Sequence, residues 1–161
     1  MNLISKSLPA SNVLMGLEAG NKKRLFEQIG MLFENNEGIA RATTYDSLLA
    51  REKLGSTGLG HGVAIPHGRI KGLRRTLCAF VKPASPIPWD APDGIPAEMI
   101  FFILVPEKAT EQHLQILSEL AQMFSDKSFR DSVTSCVDPE TTHRLLTSWT
   151  PYAAAHRSAA V

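Results

Sequence analysis

Gly58-Leu59-Gly60-His61-Gly62-Val63-Ala64-Ile65-Pro66-His67-Gly68 is the stretch that decides how the chain reads. Glycines at positions 55, 58, 60 and 62 make a side-chain-poor segment. Bare backbone N–H groups in such a segment can turn toward a phosphate, and the same composition also serves a plain surface connection. Val63 to Ile65 reads as a short strand, and Pro66, which has no N–H, fits its end or an edge. His67 then stands between a residue of fixed φ and one without a side chain. That arrangement mounts an imidazole rigidly and leaves access to it. No Gly-Lys-Ser/Thr closes the glycines, so this is not a Walker A loop. The third glycine is out of register for a dinucleotide fingerprint. A nucleotide site is disfavoured.

Working outward, the upstream side is helical. Leu25, Phe26, Ile29, Leu32 and Phe33 recur at helical spacing after Asn21, and Asn35-Asn36-Glu37-Gly38 ends that helix. A second helix is expected from about Thr43, with Tyr45, Leu48 and Leu49 inward and Gly55 as its stop, which puts Arg51 in its last turns. Downstream, Leu77 to Val81 and Ala97 to Val105 read as strands, the second buried on both faces. A proline-rich loop joins them. The last third is helical again, with an expected stripe of Leu114, Leu117, Ala121 and Phe124. Asp126 and the Asp138-Pro139 pair each open a further helix. Helices, then strands, then helices suggest an α/β fold: one domain with a mixed sheet flanked by helices on both faces.

Composition bounds the function. The 161 residues suit a single core, and a hydrophobic fraction of 43% with 20% charged residues is that of a globular chain. Lys and Arg number 17 against 16 Asp and Glu, so no nucleic-acid partner is implied. Cys78 and Cys136 are far apart and form neither a zinc motif nor a redox pair. The N-terminus lacks a continuous apolar run of the signal-peptide kind, and Met99 to Val105 is too short to span a bilayer. The expected location is the cytoplasm, with no membrane insertion.

Three side chains are candidates for chemistry. The unperturbed histidine pKa of about 6.5 leaves much of the His67 ring neutral, with a nitrogen able to attack phosphorus. His113 precedes Ile116 and Leu117 by three and four residues, so it lies on or beside a buried stripe. It reads either as a core residue or as a second ring at the same site. Arg51 reads either as a solvated helix-end cation or as a charge partner for phosphate oxygens.

The order of these features resembles the fructose/mannitol-type IIA components of the bacterial phosphotransferase system. The resemblance rests on Gly58-x-Gly60-x-Gly62-Val63-Ala64-Ile65-Pro66-His67-Gly68, with Arg51 upstream and His113-Leu114-x-x-Leu117 downstream. Arg51-Glu52-Lys53-Leu54-Gly55-Ser56-Thr57-Gly58 looks most like the stand-alone, nitrogen-regulatory branch. The resemblance implies that His67 is the phosphorylated nucleophile, that His113 supports the phosphohistidine and that Arg51 neutralises phosphate charge. It implies an HPr-like histidine phosphocarrier as donor, and no nucleotide, metal or other cofactor. It further implies regulatory targets such as ion-transport or sensor proteins. The alternative is a sugar-transport IIA that passes phosphate to a IIB partner. On this reading residues 1–150 are the IIA domain and 151–161 a flexible tail. His61 is read as a neighbour of the site, and Leu59 as part of the rim on which the donor docks.

Overall fold

A computed structural model of the chain describes residues 2–108 and 110–151. The expected flexible tail, 151–161, therefore lies outside the described residues except for Pro151. Five helices and six strands occur among the described residues, and the sheet is built around the most apolar segment. Strand β6, Met99–Pro106, pairs antiparallel with β5, Leu77–Pro83, on one side. On its other side it pairs parallel with both β3, Val63–Ala64, and β4, His67–Ile70. Strand β2, Gly58–Gly60, pairs antiparallel with β3, and β1, Val13–Leu17, runs parallel to β5 at the opposite edge. The sheet is mixed, as expected.

The alternation of side chains along β6 feeds two cores. Phe101 and Ile103 face a cluster with Phe80, Ile116, Leu120 and Phe124. Phe102 and Leu104 face the other, with Leu25, Phe26, Ile29 and Leu48. Helices α1, Lys22–Glu37, and α2, Arg41–Leu54, cover this second face. Helices α3, Thr110–Ser125, α4, Lys127–Ser135, and α5, Pro139–Ser148, pack on the first. Complete burial of each such side chain stabilises the fold by about 1.5–3 kcal/mol, so both faces of β6 are driven inward.

Side-chain caps form at three helices, the expected ones at Asp126 and Asp138 and a further one at Asn21. Asn21 accepts from the Arg24 N–H, Asp126 from Phe129 and Asp138 from Thr141. Gly38 closes α1 at φ 75°. Helix α2 departs from expectation: it begins at Arg41, ahead of Thr43, because the Glu34 carboxylate of α1 accepts the Arg41 N–H at 2.9 Å. A capping group from another helix leaves no local signal. The α3 stripe is also rotated. Leu114 is exposed, and so is Ala121, while His113, Ile116, Leu120, Met123 and Phe124 are buried. Strand β1 has no counterpart in the sequence reading, because an irregularity between Met15 and Leu17, with Gly16 at φ 76°, breaks its alternation.

Candidate functional site

The glycine-rich stretch folds as a β-hairpin, not as a loose loop. β2 and β3 are joined by His61 at φ 57° and Gly62 at φ 79°, the two positive values that a tight hairpin turn requires. Two of its N–H groups are already bound: Gly58 donates to Ser56 Oγ and His61 to the Asp93 carboxylate. Of the two readings of this stretch, an anion cradle and a plain connection, the hairpin has the geometry of a connection. Its geometry serves strand pairing. His61 and Leu59 border a hollow with Phe124 and Arg130, apart from the cleft that holds His67.

His67 opens strand β4, in register with Ile103, so it is held by the sheet and not by a loop. Gly68 also has a different task from giving access. A Cβ at position 68 would stand 2.2 Å from Ser47 Oγ and 3.1 Å from Ser47 Cβ, so the glycine lets α2 press against β4. Ser47 Oγ donates to the Arg69 carbonyl at 2.9 Å and ties the same two elements. β4 thus lies between α2 on one face and α3 on the other, and the cleft of about 480 Å³ at its edge collects side chains from all three.

The structure brings all three candidate residues to this cleft. The rings of His67 and His113 lie 5.0 Å apart between centroids, tilted by 48°. Arg51, in the last turn of α2, borders the same cleft and donates through Nη1 to the Gly55 carbonyl at 2.8 Å. His67 Nδ1 lies 2.8 Å from the Ile65 carbonyl oxygen. A carbonyl only accepts, so in the neutral ring Nδ1 carries the proton and Nε2 keeps its lone pair.

Burial is the first cause that holds His67 below the usual histidine range. The Ile65 carbonyl opposes it, Arg51 and Arg69 add to it, and Glu52 works against them. His113, 7% exposed, is pushed down to about 4 by burial first, then by His67, Arg69 and Arg51. Two neutral rings thus stand beside the guanidinium groups of Arg51 and Arg69, a setting that favours negative charge at the cleft. His113 Nδ1 is buried and makes no hydrogen bond, which leaves a polar atom unused in the cleft wall.

Two contributors escaped the sequence reading. Arg69 lies two residues beyond His67 and so on the same side of β4, a relation that is legible once 67–70 is taken as a strand. Glu52, next to Arg51, has a side chain only 5% exposed and binds Lys22 and Thr57. The expected rim residue also changes. Leu54, 85% exposed, and Leu114, 59% exposed, border the His67 cleft, whereas Leu59 borders the other hollow.

Comparison with known proteins bears on the family and the fold. The family described as Phosphoenolpyruvate-dependent sugar phosphotransferase system, EIIA 2, matches residues 6–149. The nitrogen regulatory protein of Pseudomonas aeruginosa is 37% identical over 144 residues, which cover 89% of this chain and 94% of that protein. The crystal structure of nitrogen regulatory protein IIA-Ntr from Neisseria meningitidis superposes with a TM-score of 0.86 at 48% identity, covering 91% of this chain and all of that one. The crystal structure of IIA mannitol from Escherichia coli shares the fold, with a TM-score of 0.64 at 22% identity, covering 94% of this chain and 97% of that one.

Proposed function

From the premise that the chain belongs to the EIIA 2 family of the phosphoenolpyruvate-dependent sugar phosphotransferase system, we propose that it is a regulatory phosphocarrier of the nitrogen branch. Its phosphorylated atom is His67 Nε2. The observation that carries this reading is the Nδ1–H bond to the Ile65 carbonyl, which leaves Nε2 as the nucleophilic nitrogen in a cleft with two arginines. The donor is an HPr-like histidine phosphocarrier. In the transfer, the donor's P–N bond breaks with its electron pair returning to the donor ring. A new P–N bond forms to His67 Nε2, and the proton stays on Nδ1, hydrogen-bonded to the Ile65 carbonyl. Such a transfer runs through a loose transition state and depends on positioning and charge neutralisation. Arg51 and Arg69 supply the positive charge, and His113 supplies a neutral ring beside the phosphoryl group. The phosphoryl group arrives on a reactive nitrogen, so the step itself calls for neither nucleotide nor metal.

In this reading residues 1–150 form the carrier, which works in the cytoplasm, and the output is the phosphorylation state of His67. A dianionic group beside His67 changes the surface offered to ion-transport or sensor proteins, and charge alone then separates the partners of the two forms. The nitrogen regulatory names of the relatives favour this role over a relay to a sugar-transport IIB protein. The test is incubation with phosphoenolpyruvate, enzyme I and the phosphocarrier, followed by mapping of acid-labile phosphate. Label on His67, and different proteins captured by the phosphorylated and bare forms, are expected. Label elsewhere, or identical partner sets, would reject the corresponding half of the proposal.

A further inference from the structure

A continuous chain of hydrogen bonds runs from the first turn of α1 to the imidazole of His67. Lys22 Nζ donates to Glu52 Oε2 at 2.9 Å. The same carboxylate accepts the Thr57 N–H at 3.0 Å and the Thr57 hydroxyl at 2.6 Å. The Thr57 carbonyl accepts the Ile65 N–H at 3.0 Å, and the Ile65 carbonyl takes the proton of His67 Nδ1. Thr57 and Ile65 are thus each bound at both their own N–H and their own C=O. Trp89 closes the assembly from the β5–β6 loop: its Nε1 donates to Thr57 Oγ1 at 3.1 Å, and its ring lies 5.1 Å beneath the Lys22 ammonium.

We propose that Glu52 is a positioning residue for phosphoryl transfer, acting through Thr57 and Ile65 to hold His67 in the tautomer that leaves Nε2 free. The inference rests on the carrier reading above, since it assigns a role to the same nucleophile. Two physical points support it. First, Glu52 sits where α2 ends, so one carboxylate fastens the strand entry to the helix that also carries Arg51. Second, a buried carboxylate needs several donors, and here two of its three come from Thr57.

The experiment is nitrogen-15 spectroscopy of the His67 ring, run beside single-turnover transfer from the phosphocarrier and thermal melts. Three proteins are compared: wild type, Glu52→Gln, and Glu52→Leu with Lys22→Met. In wild type and Glu52→Gln, whose amide oxygen still accepts from Thr57, the Nδ1–H tautomer should dominate. The double variant removes both charges together, which protects the fold. It should show mixed tautomers and transfer slowed by about 10-fold or more, with Glu52→Gln restoring most of the rate. A folded double variant with pure Nδ1–H tautomer and wild-type transfer would overturn the proposal. If that variant does not fold, Thr57→Val, which loses the hydroxyl bond to Glu52, decides: a shifted tautomer population supports the chain and an unchanged one rejects it. The tautomer readout needs no phosphate. A wild-type protein that holds Nδ1–H but refuses phosphorylation would therefore count against the carrier reading alone.

Discussion

His61 and His67 lie on one short stretch, and each is followed by glycine. In the fold they have almost nothing in common. His61 is exposed, takes a left-handed backbone at φ 57°, and spends its N–H on Asp93. His67 is half-buried on a paired strand, with its ring proton held by a carbonyl and a second imidazole 5.0 Å away. A glycine neighbour therefore says little about which histidine can act. The glycine after His61 serves a turn, and the one after His67 makes room for Ser47. What separates the two is strand pairing, which only one of them enters.

The comparison is most directly broken by replacing each histidine in turn. His67→Ala should reduce phosphoryl acceptance by at least ~10³-fold, the scale on which loss of a nucleophile is felt. His61→Ala should stay within about 2-fold of wild type. Acid-labile phosphate counted after reaction with the donor measures both.

The glycines offer the next contrast. Gly68→Ala forces a Cβ into Ser47 and should cost about 2–3 kcal/mol in urea unfolding, the upper range for overpacking. Combining it with Ser47→Gly should recover part of that loss. At Gly62 the nearest atom is the flexible Glu98 side chain, so Gly62→Ala should cost mainly its backbone strain, about 1–2 kcal/mol.

The second ring gives a pH test. His113 titrates at about 4 in the folded chain against a usual 6.5. Between those values the unfolded chain binds more protons, so stability falls as pH drops from 6.5 toward 4. His113→Ala should flatten unfolding free energy against pH across that window by roughly 2–3 kcal/mol. It should also slow transfer if the ring supports the phosphoryl group. Denaturant titrations at several pH values, paired with transfer rates, separate the two effects.

Smaller changes are expected at the rim. Leu114→Asp, beside the His67 cleft, should slow phosphorylation by the carrier by about 10-fold, the usual size of one lost apolar contact with charge placed in an interface. Leu59→Asp, beside the other hollow, should leave it unchanged. Stopped-flow transfer at equal stability compares them. The smallest effect is a gain: His61→Asn places the residue preferred in this turn and should add about 0.5 kcal/mol by thermal melt.

Much of this was open to reading from local pattern. The apolar run from Met99 sets the central strand, because a segment without polar positions is buried on both faces. The period of Leu25, Phe26, Ile29 and Phe33 sets α1, and Asn21, Asp126 and Asp138 mark their helices, since a cap acts within one turn. The ordered set Arg51, His67 and His113 was legible together with the family it resembles. The tertiary structure decided whatever depends on partners distant in sequence. It starts α2 at Arg41 through Glu34, and it turns Leu114 outward while His113 goes in. It converts the glycine-rich stretch into a hairpin and makes His67 a strand residue by pairing it with Ile103. It also joins Glu52 to His67 through Thr57 and Ile65, and places Arg69 in the cleft. Sheet register and buried charge contacts are properties of two segments at once, and no periodicity along a single segment carries them.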